Sequence, residues 1–373
     1  MRGHLGLMTI ADTVSLVRRA FSDEAFTAAD AQAHGIGPDR LERSVHAGAL
    51  RRLGKGVYAL ADSQRADAWG LVACRARRLG NRGVRAVIAG SSTADFWNVP
   101  VVGAPPDAVA LKPTLYVDPE SGVREGARDG VRILHGRLAV EDVWEGSVHL
   151  EGTAATNGLL LCMPLRTGVD VTRHLRLSKP AAVAALSAAQ RRHAALLGGL
   201  TSVIGRGADR GGLAREDWRD GARLTRRLED AALRDSLRAA MLDAILRAPH
   251  RGLRHVREAL PYVDPRLETA LESISWAFMC MSGLPLPRPQ AWVTGASGRR
   301  YRVDFFWPEF GLVGEADGAI KYRAVADVMA EKERHSDLVD GGLSLVRWTW
   351  RDAWSQTFIA RLERSMSRLE RSI

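Results

Sequence analysis

The amino-acid sequence predicts an α+β protein of several domains, and three observations predict it. The chain has 373 residues, more than one hydrophobic core usually serves, so two or three domains are expected. Residues 1–60 carry three helical patterns followed by a short basic hairpin pattern. Residues 264–373 carry a helix, three strands, a second helix and a fourth strand, closed by an amphipathic helix.

Composition narrows the function classes. The chain is 46% hydrophobic and 26% charged, ordinary for a globular protein and unlike a disordered tail. Its formal net charge is +10. An enzyme acting on small metabolites has no need of that balance, whereas a protein lying against phosphates does. The positive side is nearly all arginine, the lysines being Lys55, Lys112, Lys179, Lys321 and Lys332. Arginine is the better phosphate and guanine ligand. Cys74, Cys162 and Cys280 are far apart and form no CxxC, so neither a zinc site nor a disulfide framework is expected. A reduced cytoplasm fits. The opening "MRGHLGLMTI" lacks the apolar stretch of a signal peptide. No apolar run reaches the roughly 18 residues that span a bilayer, so no membrane partner is expected.

Ile10, Val14, Val17 and Phe21 fall at helical spacing. Thr27 suits an N-cap and Gly35 a stop for a second helix. Pro38 opens a third, with Leu41, Val45 and Leu50 inward and Asp39, Arg40, Arg43 and His46 outward. "LRRLGKGVYAL" then forms two short strands around a Gly-Lys-Gly turn. This is the pattern of a winged helix-turn-helix, whose third helix enters the major groove of duplex DNA while the hairpin touches the backbone. Arg40 and Arg43 are the candidate base readers, and Arg51, Arg52 and Lys55 the candidate phosphate contacts. The competing reading is a small helical bundle with a basic face.

Residues 61–260 form a mixed α/β middle domain. Residues 110–138 alternate short apolar runs with Gly, Pro and Asp, as strands and turns do. "MPLRTGVDVTRHL" is expected to be a strand turning into a helix capped by Thr167. From Ser178 to Ala259 the pattern is helical, broken by a loop and hinge at Ile204 to Gly212. His149, His174 and His193 lack partners at metal-ligand spacing and read as surface or core residues. A spacer, or a surface that pairs subunits, is the expected role.

The acidic residues lie in the last third. Leu267, Leu271, Ile274 and Phe278 mark one face of a helix, with Glu272 beside it and Gly283 at its end. Three strands follow, the second carrying Asp304 and the third running from Leu312 to Asp317. Helix, three strands, helix, strand is the core order of the PD-(D/E)XK (restriction-endonuclease-like) fold. Residues i and i+2 of a strand share a face, so Glu315 and Asp317 point together and Asp304 meets them from the next strand. Oxygen ligands in one cleft suit Mg²⁺ or Mn²⁺, and Asp304, Glu315 and Glu272 are the candidate ligands. Asp317 and Lys321 compete for the role a lysine usually fills, with Lys332 and His335 as further sources of a cation. Against this stand a turn ending a strand at Asp317-Gly318, and a nuclease fold that grips DNA without cutting.

Two resemblances carry the reading further. The order of residues 26–60, ending in "GVYAL", resembles the N-terminal domain of AbiEi-type antitoxins; Pro164, Arg166, Thr167 and Asp170 match a later segment of that family, although Ser91, Ser92, Thr93 and Ala94 replace a step that carries His there. The last third is similar to Vsr-like endonuclease domains. It carries Glu272-Ser273, Gly283-Leu284-Pro285, Arg302-Val303-Asp304-Phe305, Glu315-Ala316-Asp317-Gly318, Lys321-Tyr322, Glu331-Lys332 and Arg347-Trp348. The first resemblance implies DNA binding, autorepression and a cognate toxin or self-association. The second implies metal-dependent cleavage of a phosphodiester with Asp304, Glu315, Asp317, Lys321 and Glu272 in the site, in phage defence, a toxin–antitoxin-like locus or DNA repair.

Overall fold

The computed structural model describes residues 9–22, 24–63, 68–104, 111–145, 158–200, 215–317 and 325–371. Within them the chain is α+β with three sheets. Helix α1 (Ile10–Phe21) starts at a capping box in which Thr9 and Asp12 satisfy each other's backbone N–H groups. The same device, made by Thr27 and Asp30, starts α2 (Ala28–Ala33). Gly35, at φ +78°, turns the chain into α3 (Pro38–His46). Strands β2 (Leu50–Gly54) and β3 (Val57–Leu60) pair antiparallel. A two-residue strand, β1 (Phe26–Thr27), adds to the free edge of β3. Sequence pattern does not expose β1, because two residues carry no period and only the long-range partner makes them a strand. Val17, Phe26, Ile36, Leu41, Leu50 and Tyr58 form the core between the helices and this sheet.

The next unit is built on a six-stranded sheet. Its strands are β4 (Ala86–Ala89), β5 (Thr114–Val117), β6 (Gly126–Arg128), β7 (Val131–His135), β8 (Val143–Glu145) and β9 (Leu160–Cys162), in the order β6-β7-β5-β4-β9-β8. Central β4 and β5 are buried throughout, as strands covered on both faces are. Helices α4 (Ala68–Gly80), α5 (Ser91–Phe96) and α6 (Pro164–Leu175) lie around the sheet, followed by α7 (Lys179–Leu197), α8 (Arg215–Leu228), α9 (Ala231–Arg247) and α10 (Leu253–Ala259). Helix α7 is rich in alanine and buried on nearly all sides, which lets neighbouring helices approach it closely.

Two expectations for this unit change. Thr167 does not cap α6: the helix begins at Pro164, with Met163 at the N-cap, because Pro at the first position presets the helical φ and needs no N–H partner. Thr167 is buried instead, and its hydroxyl donates to Thr93 and to the Cys162 carbonyl. The hinge expected at Ile204 to Gly212 lies outside the described residues, as does His149. Burial pushes His174 and His193 down to about 4, so both are neutral at physiological pH, as core residues should be. All three cysteines are free. No helix among the described residues is long and apolar enough to cross a membrane.

The last unit runs α11 (Ala270–Ser282), β10 (Arg288–Thr294), β11 (Arg300–Trp307), β12 (Leu312–Ala316), α12 (Val325–Asp340), β13 (Ser344–Trp348), α13 (Trp350–Trp354) and α14 (Thr357–Glu370). Strands β10, β11 and β12 are antiparallel and β13 joins β12 in parallel. One sheet face packs Phe305, Trp307, Leu312 and Trp348 against α11 and α14. The other packs Val293, Val303 and Val313 against Leu338 of α12. This unit is tied to α7 and α8 by Glu268. Its carboxylate accepts from Arg191 at 2.8 Å, Thr225 at 2.6 Å and Arg302 at 2.8 Å. Burial opposes the charge, but Arg191 and Arg302 outweigh it and hold this carboxyl below its usual range.

Candidate functional site

Two sets of side chains carry the chemistry predicted from the sequence. The first lies on α3 and the β2–β3 hairpin. Arg43 is exposed, its Nε reaching back to the Asp39 carbonyl at 3.4 Å. Lys55 is exposed at the hairpin tip. Arg52 is exposed but forms an ion pair with Glu42 of α3 and lies 5.5 Å over the Tyr58 ring. Arg40 and Arg51 differ from expectation, since both are half-buried. Arg40 leans back to donate to the Gly35 carbonyl at 3.3 Å. Arg51 donates to the Ser63 carbonyl at 2.9 Å and fastens β2 to the segment after β3. Each satisfies a backbone acceptor at the rim of a small core, a demand that strand or helix periodicity does not register. The exposed face is therefore led by Arg43 and Lys55, with Arg52 balanced by Glu42.

The second set surrounds Asp304. In a regular strand Val303 and Phe305 would share a face, yet Val303 packs on the α12 side and Phe305 on the α11 side. The alternation slips at Asp304. On the neighbouring strand the pairing passes from Pro289↔Phe305 to Ala291↔Val303, and Gln290 between them has φ +54°. A left-handed glutamine costs about 1–3 kcal/mol and persists only where its surroundings hold it. The buried Gln290 amide donates to Glu272 Oε2 at 2.7 Å. Beyond Phe305 the β11–β12 ladder ends, and Asp304 Oδ2 accepts from the Ala316 N–H at 2.9 Å. The carboxylate thus bridges two strands where they part.

Glu315 is buried and salt-bridged to Arg334 of α12 at 2.5 Å. Asp317, just past β12, lies 3.7 Å from Arg347 of β13. Arg347 and Arg334 also both reach Glu331. Glu272 turns its oxygens to the start of α11, accepting from the Glu268 and Thr269 N–H groups and from Gln290. Its carboxylate closes a capping box rather than standing open to a ligand. Burial, then repulsion from Glu268, pushes it up to about 7. Asp304 is pushed well above the usual carboxylate range, by burial first and then by Glu272 and Glu315. Burial also raises Glu315 and Asp317, against the pull of Arg334 and Arg347 respectively.

Sequence patterning brings Asp304, Glu315 and Asp317 to one end of the sheet, and the structure places them there. Lys332 and His335 are exposed, and the guanidiniums of Arg334 and Arg347 occupy the acidic cluster instead. Lys321 lies outside the described residues. Arg334 had a signal in its spacing from Glu331, one helical turn away. Gln290 had none. Among the described residues no three His, Cys, Asp or Glu side chains converge as a ready-made metal cage. Mg²⁺, however, is commonly held by one or two carboxylates with waters and substrate phosphate. Asp304 and Glu315, raised and crowded by like charge, fit that smaller donor set; Glu272, committed to its helix, does not.

The likenesses to known proteins are local. Residues 15–61 match the family described as "Transcriptional regulator, AbiEi antitoxin". Two proteins of Mycobacterium tuberculosis, from strains CDC 1551 / Oshkosh and ATCC 25618 / H37Rv and each named only as an uncharacterized protein, are 35% identical over 120 residues. That stretch is 31% of this chain and 44% of each relative, so the chain spans under half the length of the relatives it matches. No solved structure matches. The family likeness is to a transcriptional regulator of the AbiEi antitoxin type, and it falls on the segment that holds α2, α3 and the β2–β3 hairpin.

Proposed function

We propose that this protein is a DNA-binding transcriptional regulator of the antitoxin type, with α3 in the major groove and the β2–β3 tip on the sugar-phosphate backbone. One observation carries this reading: the regulator-like segment coincides with the helices and hairpin that expose Arg43 and Lys55. The net charge of +10 supports it, since neutralised phosphates release counterions. Arg43 has the reach and planarity to read a guanine edge, whereas Lys55 contributes a point charge to a phosphate. A labelled duplex from upstream of the protein's own gene, titrated by fluorescence anisotropy, tests this. Arg43→Ala should cost about 1–3 kcal/mol and relax base preference, while Lys55→Ala should weaken all sequences alike and lower the salt slope by about 1. Binding untouched by either change would remove α3 and the hairpin from the interface.

A second reading, a metal-dependent endonuclease with a PD-(D/E)XK-like last unit, is favoured by the slip at Asp304 and the crowded carboxylates beside it. Asp304 and Glu315 would hold Mg²⁺ or Mn²⁺. Such an ion polarises a scissile phosphate and lowers the pKa of a water. Arg334 holds Glu315 in place and Arg347 steadies Asp317, while Gln290 and the start of α11 take up the Glu272 oxygens. Lys321 remains the proposed source of a further cation. Supercoiled plasmid with Mg²⁺ or Mn²⁺ distinguishes the readings. Nicking by the wild type and not by an Asp304→Ala/Glu315→Ala double variant supports the enzyme. Equal binding by both proteins without nicking leaves the regulator alone.

A further inference from the structure

The β10–β11 hairpin carries a feature that neither the α3 interface nor the acidic cleft uses. Trp292 is 51% exposed, a large aromatic left in water at the middle of a strand. The Arg300 guanidinium lies 5.3 Å over its ring. Arg299 stands 6.0 Å over the next aromatic, Tyr301. From Arg288 to Val303 the hairpin holds Arg288, Arg299, Arg300 and Arg302 and no acidic residue. Arg302 is neutralised by Glu268, whereas Arg300 has no carboxylate partner among the described residues.

The hairpin turn is also tied to Asp337 of α12. The Ala296 N–H donates to the Asp337 carbonyl at 2.9 Å, and the Ser297 N–H and hydroxyl both donate to the Asp337 carboxylate at 2.7 Å. Gly295 makes this approach possible, since a Cβ there would meet Asp337 Oδ2 at 2.2 Å. Trp292 pairs in register with Arg302, and Arg300 lies two residues from Arg302, so the three share one face. Asp304 follows two residues further along β11. At about 3.3 Å per residue, Arg300 and Asp304 are about 13 Å apart along the strand, a span of a few nucleotides.

We propose that Trp292 and Arg300 form a stacking platform for an unpaired nucleobase, so that the last unit grips a single-stranded DNA segment adjoining the duplex held by the N-terminal unit. A half-exposed indole with a guanidinium over its ring, and no carboxylate on that guanidinium among the described residues, matches a base π-face and the phosphate beside it. Duplex DNA presents no such base face along its length, which selects the single strand. The platform holds whether or not the acidic cleft cuts.

The test uses the full chain and two fluorescein-labelled probes, a blunt duplex and the same duplex with an oligo-dT tail, read by anisotropy without divalent metal. The wild type should prefer the tailed probe. Trp292→Ala should lose about 5- to 150-fold on that probe, the range of one base–aromatic stack, with blunt-duplex affinity unchanged. Trp292→Phe should keep most of the preference, and Arg300→Ala should reduce it. No tail preference in the wild type, or equal losses in the Ala and Phe variants, would overturn the platform while leaving the regulator reading intact. Failure of the wild type to bind either probe would overturn both.

Discussion

Asp170→Ala should destabilise the protein by about 3–5 kcal/mol, the cost of removing one partner from a buried ion pair. Asp170 is fully buried on α6 and accepts from Arg166 Nε at 3.0 Å and Arg173 Nε at 2.7 Å. Arg166 also reaches Asp142 at 3.0 Å, and Arg247 closes on that carboxylate at 2.8 Å. Arg173 donates to the Tyr116 hydroxyl at 2.7 Å. The network binds α6 to the sheet and to α9. Without Asp170, two buried guanidiniums lose a counter-charge while their desolvation remains. Burial alone would raise the Asp170 carboxyl; Arg166 and then Arg173 more than offset this and hold it below its usual range. Its contribution is therefore full above the unfolded pKa of about 3.9 and is lost as pH falls through the lower folded value. Thermal melts of wild type and variant from neutral to acid pH should show a large gap that narrows in acid. A constant gap would mean that Asp170 acts through packing and not through charge.

Asp304→Asn is expected to do the reverse and stabilise the metal-free protein near neutral pH. The Asp304 carboxyl is raised, by burial and by Glu272 and Glu315. An acid whose folded pKa exceeds its unfolded value penalises the fold at every pH above the unfolded value, until acid protonates it in both states. Asparagine removes the charge and can still accept from the Ala316 N–H through its amide oxygen. The variant should melt higher at neutral pH, and its advantage should vanish as pH falls towards about 4. If the second functional reading holds, divalent metal raises the Tm of the wild type but not of the variant, because a ligand stabilises only the state that binds it. A variant that melts below the wild type at neutral pH would show that Asp304 is a structural acceptor and not a strained acid.

Legibility followed range. The Thr27 cap of α2 is spelled locally, and the antiparallel strands of the last unit show their faces by alternation up to the slip at Asp304. Asp304, Glu315 and Asp317 could be brought together on paper because strand period and chain order suffice to align neighbouring strands. The half-burial of Arg40 and Arg51 is not legible in the sequence, because a helix face or a strand face says only which way a side chain starts. Long side chains then bend to a nearby backbone acceptor, the Gly35 and Ser63 carbonyls here.

The sequence by itself determined the α+β class, the basic balance, the order of the main helices and strands in the first and last units, β1 and α13 apart, and the acidic residues that meet at the end of the last sheet. All of these follow from periodicity, caps and composition, which are local. Only the tertiary structure decided which cations enter the acidic cluster, since Arg334 and Arg347 reach it from α12 and β13 while Lys332 and His335 face water. It also decided that Gln290 takes a left-handed backbone opposite Asp304 and that Glu268 joins α7, α8 and β11, whereas the Thr269-x-x-Glu272 capping box is local. Each of these depends on buried charges finding partners across the fold. The cost of leaving one unpaired is set by distance and desolvation, neither of which is written in the spacing of residues along the chain.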